Sequence, residues 1–270
     1  FKENFKIMWG NKPFRNQLIS GVLRSPIQIL LSVAMTLMSY YYGNYFGDYM
    51  LYMIIFGGAI FGGQFIAMAL VPKLTEKHDK TRMLIGSTIM GAVPFALIYP
   101  VYLLAPRDLD QPLWVAILFV VFALAGGGMG ALNVLQSVMI ADCVDYEEYH
   151  NGVRTDGVFF SGQSFITKLS GGIASILSAV VYHFVGYSDA NILKLNEALK
   201  SGADFLSYDG GSGAGKYAAT MFFLISIPPA IGMVLSALPT IKYAMSDKEH
   251  SRILSELVAK RAAKGEDSAE

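Results

Sequence analysis

Apolar residues along this chain come in long blocks, not in the short alternation of strands or the one-sided stripes of soluble helices. A helix needs about 20 apolar residues to cross a hydrocarbon core. Six blocks meet that length: residues 17–42, 50–71, 83–105, 113–141, 157–185 and 217–241. The pattern predicts an all-α membrane protein. It places a cytoplasmic lead-in over 1–14, a six-helix transmembrane domain over 15–243 and a cytoplasmic amphipathic tail over 244–270.

Cation placement sets the expected orientation, because lysine and arginine collect on the cytoplasmic side. Lys2, Lys6, Lys12 and Arg15 precede the first span; Lys73, Lys77, Lys80 and Arg82 lie between the second and third. Lys242, Lys248, Arg252, Lys260, Arg261 and Lys264 follow the sixth. The alternate connections are poorer: 43–49 has no cation and 105–112 has Arg107 alone. Both ends of the chain are therefore expected in the cytoplasm. The 187–216 connection is expected outside, with its glycine-rich run 210–215 as a flexible loop. Tyr40, Tyr41, Tyr42, Tyr45, Phe46, Tyr49 and Tyr52 crowd the outer ends of the first two spans. An interfacial aromatic belt is expected of them, with a stacking surface for a solute as the alternative.

Polar positions inside the blocks show which faces avoid lipid. At about 100° per residue, Gln17, Gly21, Arg24, Gln28, Ser32 and Ser39 share one stripe of the first helix. Gly126, Gly130, Asn133, Gln136 and Ser137 share one of the fourth, and Gly157, Ser161, Ser164, Lys168, Gly172, Ser175 and Ala179 one of the fifth. The second helix adds Gln64 and glycines from Gly57 to Gly63, whereas the third and sixth carry only scattered hydroxyls. Four helices facing a cavity or packing tightly, and two lying outside, suit one half of a twelve-helix transporter built from three-helix repeats. Tight packing alone would also explain stripes of small residues, including Gly126, Gly127, Gly128 and Gly130, with a hinge as the other reading. Pro26, Pro94, Pro228 and Pro229 each remove a backbone donor and can bend their helices.

Lys168 stands out because it lies roughly 16 Å into the fifth helix at 1.5 Å per residue. The six helices offer no acid at that depth: Asp48, Asp108, Asp110, Asp142 and Asp145 sit at helix ends. Its expected partner is a substrate or a group in a second half, with a structural lysine as the alternative. Arg24 is expected to be shallower and to serve structure or gating. Between the fourth and fifth helices, Asp142, Asp145, Glu147, Glu148, Arg154 and Asp156 make an acidic segment on a side that is otherwise basic. It reads either as a solvated turn or as an ionic lock that pairs with another domain and biases a two-state equilibrium.

Composition narrows the partners. The chain is 53% hydrophobic and 16% charged, with mean hydropathy +0.43 and zero net charge, so nucleic acid is not an expected partner. One cysteine, Cys143, excludes an intrachain disulfide and a cysteine cluster for metal. The four histidines show no ligand spacing, and no metal site is expected in this half. No nucleophile–base pair supports an enzyme, and the glycine run ending at Lys216 lacks the strand–turn–helix setting of a phosphate loop. The first residue is Phe1, which predicts a piece of a longer chain, and no signal peptide is visible.

The segment NVLQSVMIADCVDYEEYHNGVRTDGVFFSGQSFITK, 133–168, resembles the helix-ten to helix-eleven region of the glycoside–pentoside–hexuronide:cation symporters of the major facilitator superfamily. NFKIMWGNKPF, 4–14, resembles the lead-in to that family's seventh helix. The ending with Lys248, His250, Ile253 and Leu257 resembles its amphipathic tail. The resemblance implies that these six helices are the C-terminal half of a twelve-helix fold in a cell membrane, with a six-helix N-terminal half as partner. It implies a sugar as substrate. It also implies a coupling cation, sodium or proton, held mainly by acids of the N-terminal half, and no other cofactor. It places Lys168 in the sugar cavity with Gln163 and Ser164 nearby, and Asp142, Asp145 and Arg154 in a cytoplasmic charge network. Melibiose-type members carry tryptophan where this chain has Asn133, so an amide replaces a stacking ring and the galactoside inference weakens.

The expected function is sugar:cation symport by alternating access. Lys168, Ser164, Asn133, Gln136, Gln163 and Gln28 are its candidate substrate residues, and Asp142, Asp145, Arg154 and Arg24 its candidate gate. A carrier of a non-sugar organic anion attracted to Lys168 is the nearest alternative. A membrane sensor or degenerate fragment is the third.

Overall fold

The computed structural model describes residues 2–43, 47–210, 216–241 and 245–263. These form α1 (Lys2–Gly10), α2 (Lys12–Leu23), a 3₁₀ turn (Ser25–Gln28), α3 (Ile29–Leu37) and a π-helical turn (Met38–Gly43). Then follow α4 (Tyr49–Thr75), α5 (Lys80–Leu104), α6 (Pro112–Asn151), α7 (Asp156–Phe184), α8 (Asp189–Lys200), α9 (Tyr217–Ile241) and α10 (Asp247–Ala263). The described residues are mostly helical and contain no strand, as the apolar blocks predict. Five helices are long and apolar enough to span a bilayer, and a pair bent by 43°, Lys12–Leu23 with Ser25–Gly43, completes a sixth span.

Pro26 accounts for that bend. Its ring nitrogen has no hydrogen to donate to the carbonyl of Val22, four residues back. The Ser25 hydroxyl donates to that carbonyl instead, and the Ile27 amide bonds Arg24 in the tighter 3₁₀ pattern at 3.0 Å. Non-helical backbone at membrane depth is tolerated where protein covers it or it lines a wet cavity. Both occur: a Cβ added at Gly232 of α9 would lie 3.0 Å from the Pro26 ring, and the adjoining Arg24, Ile27 and Gln28 border a cavity. Pro94, Pro228 and Pro229, by contrast, lie within helices that run on unbroken.

Lipid gives helices no hydrophobic reason to associate, so close packing of small residues must hold them together. The α4–α6 seam shows this. A Cβ at Gly126 would lie 2.0 Å from the Ile60 carbonyl oxygen, at Gly63 1.9 Å from that of Ala123, and at Gly130 2.4 Å from that of Gln64. Gly128 and Gly91 bring α6 and α5 together likewise, a Cβ on the former falling 2.5 Å from the latter's Cα. The α6 glycines thus pack; on α4, Gly57, Gly58 and Gly62 face open space and Gly63 makes the contact. Between α5 and α9, the buried Ser226 hydroxyl donates to the Phe95 carbonyl (2.6 Å) and accepts from the Tyr99 amide (3.0 Å).

The two ends of the bundle depart from the sequence reading. Tyr41 and Tyr42 are fully buried among Tyr102, Phe222, Phe56 and Tyr52. These two form an aromatic core at that end and not a lipid-facing belt or a stacking surface; Tyr45 and Phe46 lie outside the described residues. Their rings have enough neighbours to bury because the π turn and α4 bring aromatics from three helices to one point. The long 187–216 connection holds a helix, α8, whose Leu195 is buried; residues 211–215 of the expected flexible run lie outside the described residues.

At the opposite, basic end, α6 runs 40 residues, about 60 Å at 1.5 Å per residue, far longer than a span needs. The acidic segment is therefore mostly helix: Asp142, Asp145, Glu147 and Glu148 occupy its last turns, and the turn shrinks to 152–155 around Gly152 at φ 71°. The 1–14 lead-in is helical as well. Buried Asn11 caps α2 by accepting the Phe14 amide (3.0 Å) and clamps it to α6 by donating to the Cys143 carbonyl (2.9 Å) and to Glu147 (3.1 Å). The tail helix α10 buries Ile253 and Leu257 beside Tyr146 and Tyr149 of α6.

Candidate functional site

A cavity of about 330 Å³ opens between the broken first span, α6 and α7. The first span supplies Gly21, Arg24, Ile27 and Gln28; α6 supplies Met129, Asn133, Gln136 and Ser137; α7 supplies Gln163, Ile166, Thr167 and Ser170. None of the lining residues comes from α5 or α9, the two helices expected outside, and none from α4, whose Gln64 packs against Gly130. From Lys12 to Arg24, and from Asp156 to Gln163 and Ser170, the rise is roughly 18, 10 and 21 Å. The cavity therefore sits near mid-depth of a core about 30 Å thick.

Local rules explain how each wall presents its polar groups. The Pro26 break turns Arg24 and Gln28 inward from one stripe of the first span. On α6, residues 129, 133, 136 and 137 recur at helical spacing. On α7 the small Gly21 opposite lets Ile166 approach so closely that a Cβ there would lie 2.2 Å from its Cγ2. Buried Ser170 donates to the Gly21 carbonyl at 3.0 Å, fixing the α2–α7 wall.

The polar groups divide into engaged and open. Arg24 donates from Nη2 to Gln136 Oε1. Gln163 donates to the Ser137 hydroxyl at 3.1 Å, which donates in turn to the Asn133 carbonyl at 3.1 Å. The side-chain amides of Gln28 and Asn133 have no hydrogen-bond partner among the described residues and border the cavity half-buried. Amides both donate and accept, so this wall matches a solute with several hydroxyls.

Four of the six residues expected to bind substrate thus meet: Asn133, Gln136, Gln163 and Gln28. Two do not. Lys168 and Ser164 lie on the exposed side of α7, with Ser161, Gly172 and Ser175. Phe159, Gly162, Ile166, Ser170, Ala174 and Ser178 form the buried side, and Lys168, two positions from both Ile166 and Ser170, points away from it. Lys168 makes no hydrogen bond or ion pair among the described residues. Arg24, grouped from the sequence with the gate, lies at the cavity because the first span starts at Lys12 and so carries it deeper.

The remaining gate residues cluster at the basic end. Asp142 pairs with Lys80 of α5 (2.6 Å) and faces His250 of α10 (3.5 Å); Asp145 meets His250 (3.1 Å) and Arg154 (3.4 Å). Arg154 also reaches Asp156 (3.0 Å) and Glu148 (3.3 Å), and Arg261 of the tail holds Glu148 at 2.6 Å. The hydrogen bond to Asp156, with Asp145 and Glu148 adding, holds the Arg154 pKa above its ordinary value against the opposing effect of burial. The sequence pointed to cations of another domain as partners. Here the acids pair within the chain, since α10 folds back to bring His250 and Arg261 to them. Lys80, His250 and Arg261 were visible only as orientation charges or tail spelling. Asn11 was legible in principle as an N-cap before Lys12-Pro13.

Comparison with known proteins agrees with this architecture. The family described as MFS/sugar transport protein, where MFS is the major facilitator superfamily, matches residues 1–247. A putative sulfoquinovose importer of Salmonella typhimurium (strain LT2) is 27% identical over 143 residues, 50% of this chain and 28% of the importer. The isoprimeverose transporter of Lactiplantibacillus pentosus is 31% identical over 135 residues, 50% of this chain and 24% of its own length. A putative 2,3-dihydroxypropane-1-sulfonate exporter of Escherichia coli (strain K12) is 22% identical over 261 residues, 96% of this chain and 49% of the exporter. The chain thus spans at most about half the length of these relatives. With the family match running through all six spans and the fold built as described, the chain belongs to the MFS/sugar transport protein family.

Proposed function

We propose that this chain is the C-terminal half of a secondary transporter that carries a sugar-type solute with a coupling cation, sodium or proton, by alternating access. The observation that carries the reading is the mid-depth cavity walled by the amides of Gln28, Asn133, Gln136 and Gln163 inside an otherwise apolar bundle. The relatives' names, an importer of sulfoquinovose and a transporter of isoprimeverose, support a sugar-type solute, one acidic and one neutral. Lys168 and Ser164 stand at similar depth on a face free to meet the N-terminal half, where a carboxylate or the solute itself would supply the missing charge. The cation site belongs in that half. Asp142, Asp145, Arg154 and their partners close the basic end, which the cation count assigns to the cytoplasm.

The test is uptake of labelled hexoses, pentose glycosides and uronides by the full-length protein in vesicles, with and without sodium and proton gradients. Gradient-dependent accumulation of one of them is expected. Its absence across the panel would reject sugar symport. A second reading, export of a small sulfonate, is favoured by the relative that matches 96% of this chain. Counterflow from preloaded vesicles separates the two.

A further inference from the structure

We infer that Arg24 is the docking residue for an anionic group, so that the cavity takes a polyol carrying a sulfonate or carboxylate and not a neutral sugar. This rests on the transport reading above and names the solute class and the residue that selects it. Three observations lead there.

The first is charge. Among the described lining residues Arg24 is the one ionised side chain, and no carboxylate faces it. Asp142 and Asp145, on the same helix as Gln136, are committed to Lys80, His250 and Arg154 at the basic end. A guanidinium near the middle of a membrane is costly without a counter-charge. The described residues supply none, and an anionic solute would.

The second is the state of the guanidinium. It carries five N–H donors, and the hydrogen bond it makes among the described residues goes to a neutral amide, Gln136 Oε1. Gln136 orients Arg24 without neutralising it, and a bidentate anion would displace that amide. The displaced Gln136 then joins Gln28 and Asn133, whose amides already lack partners, in binding hydroxyls. The anion and the polyol are thus met by neighbouring but chemically distinct groups.

The third is the broken helix. Arg24 and Gln28 flank the 3₁₀ turn, neither capping its helix start through a side chain, and α3 begins beside the cavity. The bend thus presents Arg24 and Gln28 together at the cavity, a charge beside an amide; the C-terminal end of α2 lies at the same bend, so no net helix field is added.

The experiment uses the purified full-length protein and three hexoses that differ at carbon six: glucose, glucuronate and 6-deoxy-6-sulfoglucose. Binding is read by calorimetry and transport by competition. Wild type should bind at least one acid about tenfold or more tighter than glucose, the worth of a charge-assisted pair. The tighter acid tells whether planar carboxylate or tetrahedral sulfonate is the natural group. Arg24→Gln should erase the preference and Arg24→Lys should keep part of it, since lysine lacks the bidentate fork. Gln136→Glu, which installs a counter-charge beside an intact Arg24, should also erase it and does not depend on Arg24→Gln folding. An acid preference that persists in Arg24→Gln or Gln136→Glu overturns the inference, as does a wild type that binds glucose as well as the acids. In the second case sugar transport survives. Binding of none of the three overturns the inference, and the wider panel of hexoses, pentose glycosides and uronides then decides the transport reading.

Discussion

The glycine seam between α4 and α6 makes a quantitative prediction. Alanine at Gly126 would put its Cβ 2.0 Å from the Ile60 carbonyl oxygen, and backbone cannot rotate away as a side chain can. An ordinary C···O contact is about 3.3 Å, so the helices must separate by about 1.3 Å. A gap of about 0.5–1 Å already forfeits a quarter to a half of each dispersion contact. Separation also loosens the seam at Gly63 and Gly130, which touch carbonyls of Ala123 and Gln64. Overpacking of this kind costs about 1–3 kcal/mol, against a gain of up to about 1 kcal/mol because alanine favours helix over glycine. The control is Gly127→Ala, one residue on, where the nearest atom is the Met90 methyl at 3.4 Å, an ordinary contact at the end of a flexible side chain. Thermal or SDS unfolding of the full-length protein in detergent should show Gly126→Ala destabilised and Gly127→Ala unchanged or stabilised. Equal stability of the two variants would refute the account of how these helices associate.

Other outcomes follow from the same contacts. Ser226→Ala orphans the Phe95 carbonyl and the Tyr99 amide at the α5–α9 contact and should cost about 1–3 kcal/mol in the same unfolding assay; Ser226→Cys should cost less. Lys80→Ala leaves Asp142, whose side chain is 6% exposed, with only His250 at 3.5 Å, whereas Arg261→Ala removes a half-exposed cation from Glu148. The first should therefore shift the balance of transporter conformations more, read by spin-label distances across the basic end. On α10, Arg252 holds the Glu249 carboxyl below its ordinary 4.5, and Tyr149 with Arg252 does so for Glu256. A lowered folded-state pKa gives stabilisation present above the unfolded value and lost as pH falls through the folded one. The pairing of these two carboxylates should persist to pH 4.5 and fail only below it, measured by a label on the exposed Val258.

Hydropathy alone located the spans, because block length against bilayer thickness is a one-dimensional property. It misplaced the acids of 142–148, because a helix can leave the membrane without changing its backbone: α6 simply continues, and nothing in its spelling marks the exit. Periodicity brought Gly21, Gln28, Asn133, Gln136 and Ser137 to common faces, and these meet at the cavity. The same rule could not say which way a face points. On α7 it singled out the stripe of Ser164 and Lys168, whereas the cavity wall is the neighbouring set Gln163, Thr167 and Ser170. Both sets are polar, and only packing of Gly162 and Ile166 against the first span and α6 chooses between them. Likewise Tyr41 and Tyr42 read as belt residues because aromatic spelling at a helix end is the same for a belt and a core. The pairing of Asp142 and Asp145 with Lys80 and His250 depends on how α10 folds back, which no local pattern contains.

The central claim is that the cavity bounded by Arg24, Asn133 and Gln163 is where the solute sits. Asn133→Cys in the active full-length transporter tests it, with alkylation rate as the readout. The native Cys143 is buried and its label background should be low, while Asn133 borders the cavity. Saturating transported solute should slow labelling at Asn133→Cys, and should leave a cysteine at exposed Val153, near the basic-end turn, reacting as before. Unchanged labelling of Asn133→Cys in a variant that still binds the solute would contradict the account.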